Sequence, residues 1–177
     1  AVIGRSQSRF GHYRNRREWR SRWFHSSRPL SLRSIQETHA SVKLFVDTSA
    51  FIALADKSDQ YHVRASEFFQ GIVNPLKFES LITSNFVLDE TLTRIATTLG
   101  PQKAFEFGEN LLNSEVFEIQ EIDRPLLHDA LSLMQKYKDK RLSFTDLTSF
   151  AVMAREKIRT AFCFDLDFRN AGFESLP

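Results

Sequence analysis

The chain has 177 residues, 42% hydrophobic and 26% charged, ordinary values for a globular protein and enough chain for one sizeable core. No apolar stretch approaches the ~20 residues that cross a bilayer, which excludes a membrane-spanning helix and points to a soluble protein. The net charge of +2 hides a split: residues 1–41 hold nine Arg, no Lys and two acids, so 9 − 2 = +7, and residues 42–177 carry 2 − 7 = −5.

Residues 1–41 show no sustained periodicity; Arg and Ser alternate with Phe10, Tyr13, Trp19, Trp23 and Phe24. Three readings stand side by side. The segment Arg22-Trp23-Phe24-His25-Ser26-Ser27 has the composition of a mitochondrial transit peptide. Arginine interleaved with aromatics also suits RNA contact by charge and stacking. The third reading is a non-native leader, with Val42 as the true start. We expect an unstructured, non-catalytic extension over 1–41 and one domain over 42–177. The expected compartment is the cytoplasm, or the mitochondrial matrix if the extension is a transit segment.

From Val42 the punctuation is that of an alternating α/β domain. The run Lys43-Leu44-Phe45-Val46 predicts a strand buried on both faces, closing on Asp47. Thr48–Ala55 reads as a short helix, and Tyr61, Ala65, Phe68, Phe69 and Ile72 as the stripe of a second, broken at Asn74-Pro75. Ser80–Ser84 is a brief strand. A helix over Asn85 to Leu99 presents Leu88, Leu92, Ile95 and Leu99. Gly100-Pro101 ends it and starts another, with Ala104, Phe107, Gly108 and Leu111 inward.

Val116–Ile122 alternates like a sheet-edge strand, and Asp123-Arg124-Pro125 opens a helix with Leu127, Leu131 and Met134 inward. The loop Lys138-Asp139-Lys140-Arg141 leads to a helix repeating Leu147, Phe150, Ala151, Ala154 and Ile158. Ala161–Phe164 is the last apolar strand and ends near Asp165. The single Cys163 lies within it and reads as a buried structural thiol. His62 and His128 lack metal-ligand spacing and read as structural.

The chemistry sits in four acids. Parallel strands end on one edge of their sheet, so Asp47 and Asp165 share an edge, where open α/β sheets bind ligands. Asp146 stands in the first turn of its helix after Ser143 and Thr145, where capping alone would also explain it. Glu90 falls opposite the Leu88–Leu92–Ile95 stripe, so it lines either a cleft or a solvated face with Arg94. Carboxylates gathered without bases repel one another. A hard divalent ion, Mg²⁺ or Mn²⁺, relieves that repulsion and suits an all-oxygen set. Phosphodiester hydrolysis is the natural reaction of such a site.

Four segments resemble the PIN-domain ribonucleases, especially toxins of the VapC type. They are Phe45-Val46-Asp47-Thr48-Ser49, Val87-Leu88-Asp89-Glu90-Thr91-Leu92, Leu142-Ser143-Phe144-Thr145-Asp146 and Phe164-Asp165-Leu166-Asp167-Phe168. Ala171-Gly172-Phe173 looks like the C-terminal strand of that family. The resemblance implies a three-layer α/β/α sandwich around a mainly parallel sheet, and a metal-dependent endoribonuclease. It maps the catalytic, metal-holding quartet onto Asp47, Glu90, Asp146 and Asp165, with Asp167 as either an auxiliary acid or a solvated turn residue. Thr48, Ser49 and Ser143 either orient carboxylates and waters or act as plain caps. Lys138, Lys140 and Arg141 either hold RNA phosphates or are ordinary cations after a helix. The resemblance further implies a protein antitoxin and a homodimer as partners. The rival expectation is a catalytically idle PIN-fold protein that binds RNA or serves as a scaffold.

Overall fold

The computed structural model describes residues 43–73 and 78–177. The extension over 1–41, Val42 as a start, and the break at Asn74-Pro75 lie outside the described residues. Five strands form one sheet: β1 (Lys43–Val46), β2 (Ser80–Ser84), β3 (Phe117–Gln120), β4 (Thr160–Phe162) and β5 (Glu174–Leu176). Their order is β3-β2-β1-β4-β5 and every pairing is parallel. Seven helices among the described residues cover it: α1 (Thr48–Ala55), α2 (His62–Ile72), α3 (Asn85–Thr98), α4 (Pro101–Leu112), α5 (Arg124–Lys136), α6 (Phe144–Arg155) and α7 (Leu166–Asn170). This is the expected three-layer α/β/α sandwich.

The central place of β1 explains its unbroken apolar run: Leu44, Phe45 and Val46 have both faces covered and no exposure. From β1 the chain steps outward through β2 to β3, then returns to lay β4 on the other side of β1. The strand order therefore reverses between β1 and β4. In a doubly wound sheet that reversal opens a crevice beyond the strands' carboxyl ends. Asp47 follows β1 directly, and its N–H donates to Phe162 O at 3.1 Å, tying the two strands at that point.

An aromatic cluster anchors α7 against β1 and α6. Phe168 is fully buried, with its ring 6.3 Å from Phe45 and 5.0 Å from Phe150, the latter edge-on. Gly172, at φ +97, turns the chain from α7 into β5, in a region open to glycine but costly for other residues. The C-terminal strand accordingly begins at Glu174, past the expected Ala171-Gly172-Phe173.

Two helix faces differ from the expected stripes. In α3 the buried residues are Val87, Thr91 and Ile95, while Leu88 and Leu92 are only half-buried. Leu92 faces α4 instead: a Cβ added at Gly108 would stand 3.2 Å from Leu92 Cδ2, so the glycine lets the two helices close up. In α5 the buried residues are Leu126 and Ala130, whereas Leu131 and Met134 are exposed. The next helix, α6, buries Leu147 through Met153 and leaves Ala154 exposed. Leucine-rich periodicity misplaced both faces because contact with a neighbouring helix favoured smaller side chains.

Candidate active site

Three helices begin at the carboxyl edge of the sheet, and each carries an acid in its opening turn. Asp47 is the N-cap of α1, its Oδ2 accepting from Ser49 N at 3.0 Å and from Ser49 Oγ at 2.7 Å. Asp165 is the N-cap of α7, accepting from Asp167 N at 2.8 Å. Asp146 stands three residues into α6 in a reciprocal capping box: its N–H donates to Ser143 Oγ at 3.0 Å, while its Oδ2 accepts from Ser143 N and Ser143 Oγ, each at 2.8 Å. Capping is therefore real at all three positions. It also fixes which way each carboxylate points.

Glu90 comes from the side, on α3. With 100° per residue, the observed face Val87–Thr91–Ile95 leaves Glu90 on its flank rather than opposite it. The residue is half-buried, and its Oε2 accepts from Thr48 Oγ1 at 3.0 Å. The expected stripe left a cleft and a solvated face both open for Glu90; the observed face turns it to the start of α1.

Ser49 does a second job. Its hydroxyl, donating to Asp47, also accepts from Phe164 N at 3.0 Å, so one side chain links Asp47 to the loop that carries Asp165. Thr48, Ser49, Ser143 and Asp167 thus each bond one acid: the first three through a hydroxyl, Asp167 through its main-chain N–H.

Electrostatics join the four acids. Asp47 is 5% exposed, and burial pushes its carboxyl up to about 6 against the pull of the Ser49 donors, with the Asp146 charge adding to the rise. Burial also raises Asp146, opposed by its Ser143 bonds and reinforced by the charges of Asp165 and Glu90. Asp146 is the hub that feels the other three. Neither described ion pair, Lys43–Glu156 or Arg155–Asp123, involves any of them.

Among the described residues, no three or more His, Cys, Asp or Glu side chains are placed to hold a metal ion together. The four acids are an all-oxygen set, the donor chemistry that suits a hard divalent ion. Mg²⁺ keeps several waters and is commonly held through one or two carboxylates. An acid buried without a cation, beside another acid, is the local chemistry that such an ion relieves.

The remaining expected residues fall around this edge. Lys138, Lys140 and Arg141 are exposed in the α5–α6 loop, and Lys140 Nζ reaches Asn170 O, at the end of α7, at 3.4 Å. Cys163 is 2% exposed and burial pushes its thiol up to about 12, so it is no nucleophile at neutral pH. His62 bonds Ala53 O through Nδ1 at 2.7 Å, a structural role as expected, and His128 is exposed. Sequence reasoning missed Arg64 and Arg169, which share a cleft with Asp165. Their exposed helical positions give no signal of it.

Residues 44–174 match the model of the PIN domain. The chain is 34% identical over 130 residues to VapC20 of Mycobacterium tuberculosis, a 23S rRNA-specific endonuclease, covering 73% of this chain and 95% of the relative. The crystal structure of M. tuberculosis VapC20, described as a sarcin-ricin loop cleaving toxin, superposes with a TM-score of 0.67 at 33% identity, over 73% of this chain and 95% of that one. FitAcB of Neisseria gonorrhoeae gives 0.58 at 17% identity, over 76% of this chain and 96% of the other. VapBC2 of Rickettsia felis, bound to a promoter DNA fragment, gives 0.57 at 11%, over 76% and 97%. The last two speak to the fold alone.

Proposed function

This chain belongs to the PIN-domain family, and from that premise we propose that it is a metal-dependent endoribonuclease hydrolysing RNA phosphodiester bonds, the toxin of a toxin–antitoxin pair. The observation that carries the reading is the gathering of acids at one sheet edge: Asp165 and buried Asp47 cap helices there, Asp146 closes a capping box and Glu90 bonds Thr48 beside Asp47. Asp47, Glu90, Asp146 and Asp165 would hold Mg²⁺ or Mn²⁺. The chemistry such an ion supplies when bound is activation of water and neutralisation of charge on the phosphate.

The protein's own part is to aim and restrain. Ser49 and Ser143 keep the Asp47 and Asp146 carboxylates turned to the crevice, and Thr48 holds Glu90 against the same opening. The caps leave one oxygen of each Asp carboxylate free of those bonds and able to face a ligand. Lys138, Lys140 and Arg141 would contact phosphates along the strand, a positioning role without base specificity. Similarity to a 23S rRNA-specific endonuclease supports a structured ribosomal RNA as substrate. The balance of −5 over 42–177 suits a basic antitoxin segment that covers the acidic edge. Bacterial relatives support the cytoplasmic setting over the mitochondrial one.

The test incubates the full chain with 23S rRNA and with an isolated sarcin-ricin stem-loop, in Mg²⁺, in Mn²⁺ and in EDTA, against Asp47→Asn. Discrete cleavage that needs the metal and disappears in the variant is expected. Equal inertness of both proteins with RNA binding retained would replace the enzyme by the idle scaffold.

A further inference from the structure

Beside Asp165 the surface opens into a cleft of about 190 Å³, lined by Tyr61, Arg64, Phe164, Asp165, Arg169 and Ser175 among others. Typical small-molecule pockets measure ~300–1,000 Å³. A cleft this small takes a fragment of a longer chain rather than a whole free ligand.

Its walls are unlike the rest of an acidic domain. Two guanidinium groups, of Arg64 and Arg169, stand beside the Asp165 carboxylate and Pro177 in a body of −5. Arg64 donates from Nη2 to Pro177 O at 3.0 Å, and Arg169 from Nη2 to Ser175 O at 3.4 Å. Neither pairs with a carboxylate in either described ion pair. Each arginine has five N–H donors, so a single bond to a main-chain oxygen leaves most of each fork unused.

The floor is aromatic. Tyr61 stacks on Phe164 with centroids 4.5 Å apart and rings 7° from parallel, and Arg64 lies over Phe164 at 5.8 Å. Such a platform fixes the guanidinium plane and offers a flat apolar face to a sugar or base. Ser175 Oγ is also buried in the wall, with no hydrogen-bond partner beyond a weak contact with the Cys163 thiol.

We propose that this cleft is a substrate subsite, in which Arg64 and Arg169 hold one RNA backbone phosphate beside the scissile bond and the Tyr61–Phe164 pair supports its nucleotide. The proposal rests on the nuclease reading for the word substrate, but its binding claim stands separately. Arginine suits the place because its planar fork matches phosphate oxygens two at a time. Sharing Asp165 with the acidic edge puts the held phosphate next to the reacting one. The arginines position the strand and do not touch the reacting atoms.

The experiment uses the full chain and a short labelled single-stranded RNA, with anisotropy measured in excess EDTA across a salt series, so that no cleavage intervenes. Arg64→Gln and Arg169→Gln should each weaken binding roughly tenfold or more. The double variant should lower the slope of log affinity against log salt by about 0.7, the value for one phosphate released from a single strand. With Mg²⁺ present, the loss in cleavage should fall on KM with kcat little changed. Arg155→Gln, on the opposed Asp123 pair, is the charge-matched control and should bind as the parent does.

Both arginines also tie down the C-terminal strand, so thermal midpoints accompany every measurement. Arg64→Lys and Arg169→Lys, which keep the charge, should recover most of the salt slope. Glutamine variants that melt and bind like the parent, or binding losses that track melting in every variant including the lysines, would overturn the subsite. A parent chain that binds no RNA would do so as well. Arginine-dependent binding in a protein that cleaves nothing would instead keep the subsite and sink the nuclease.

Discussion

Asp47→Asn separates the cost of the acidic site from its use. Burial raises the Asp47 carboxyl from 3.8 to about 6 in the fold. An acid with a raised folded value binds its proton more tightly in the native state than in the unfolded one. Native stability is therefore full below about 4, falls as pH climbs toward 6, and stays low above it. A rise of about two pH units corresponds to ~3 kcal/mol at neutral pH. Asparagine is nearly isosteric, caps a helix about as well as aspartate, and carries no charge to desolvate. In EDTA the variant should thus match the parent near pH 4 and exceed it by up to ~3 kcal/mol at pH 7.5. Urea unfolding of both proteins across that range measures the difference, which also contains the relief of Asp146 once its charged neighbour is gone. Added Mg²⁺ should then stabilise the parent at pH 7.5 by mass action and leave the variant where it was. An asparagine variant less stable than the parent at pH 7.5 in EDTA would refute the reasoning, because the carboxylate would then be a net support of the fold.

Other substitutions probe the supports one at a time. Asp146→Asn should abolish cleavage, read on the stem-loop substrate, and leave far-ultraviolet circular dichroism unchanged. Ser143→Ala removes the reciprocal cap of α6 and should cost ~1 kcal/mol in urea unfolding, with cleavage reduced as Asp146 loses its restraint. Thr48→Val keeps shape but frees Glu90, and should raise the Mg²⁺ concentration for half-maximal cleavage by ~10-fold. Phe168→Ala empties a fully buried site among Phe45, Phe150 and Phe173 and should cost ~3–5 kcal/mol, measured by thermal unfolding.

What the sequence made legible follows the strength of its local physics. Leu44, Phe45 and Val46 before Asp47 are all apolar because β1 is the middle strand of five, so strand, burial and the acid at its end could all be read from them. Glu90 was the weak point. Its orientation depends on which α3 face enters the core, and that was decided by Gly108 on α4 admitting Leu92, a contact that periodicity does not encode. Leu131 and Met134 misled for the same reason on α5, where Leu126 and Ala130 take the inner face. The five-residue α7 left no trace either, since a single turn has no stripe and its Leu166 is exposed. Arg64 and Tyr61 reach the Asp165 cleft from α2 and the turn before it, about a hundred residues away in the chain, which no local pattern records.

Capping and metal binding have opposed each other as explanations of strand-end acids, and the geometry makes them one arrangement. An N-cap or capping-box acid is pinned by main-chain donors, so its direction survives the repulsion of its neighbours. Helix starts at the sheet edge contribute favourable field, but only ~0.3–1 kcal/mol each. The rise of the Asp47 carboxyl to about 6 is already net of the Ser49 and Thr48 hydrogen bonds that pull it down, and it leaves a cost of ~3 kcal/mol at neutral pH. That cost is held by the rest of the fold and is recoverable by any cation that enters. A set of acids serving only as caps would have no reason to bury one of them at 5% exposure next to a second. That burial is the quantity the asparagine variant measures, and under the proposed function it is the cost a bound cation would offset.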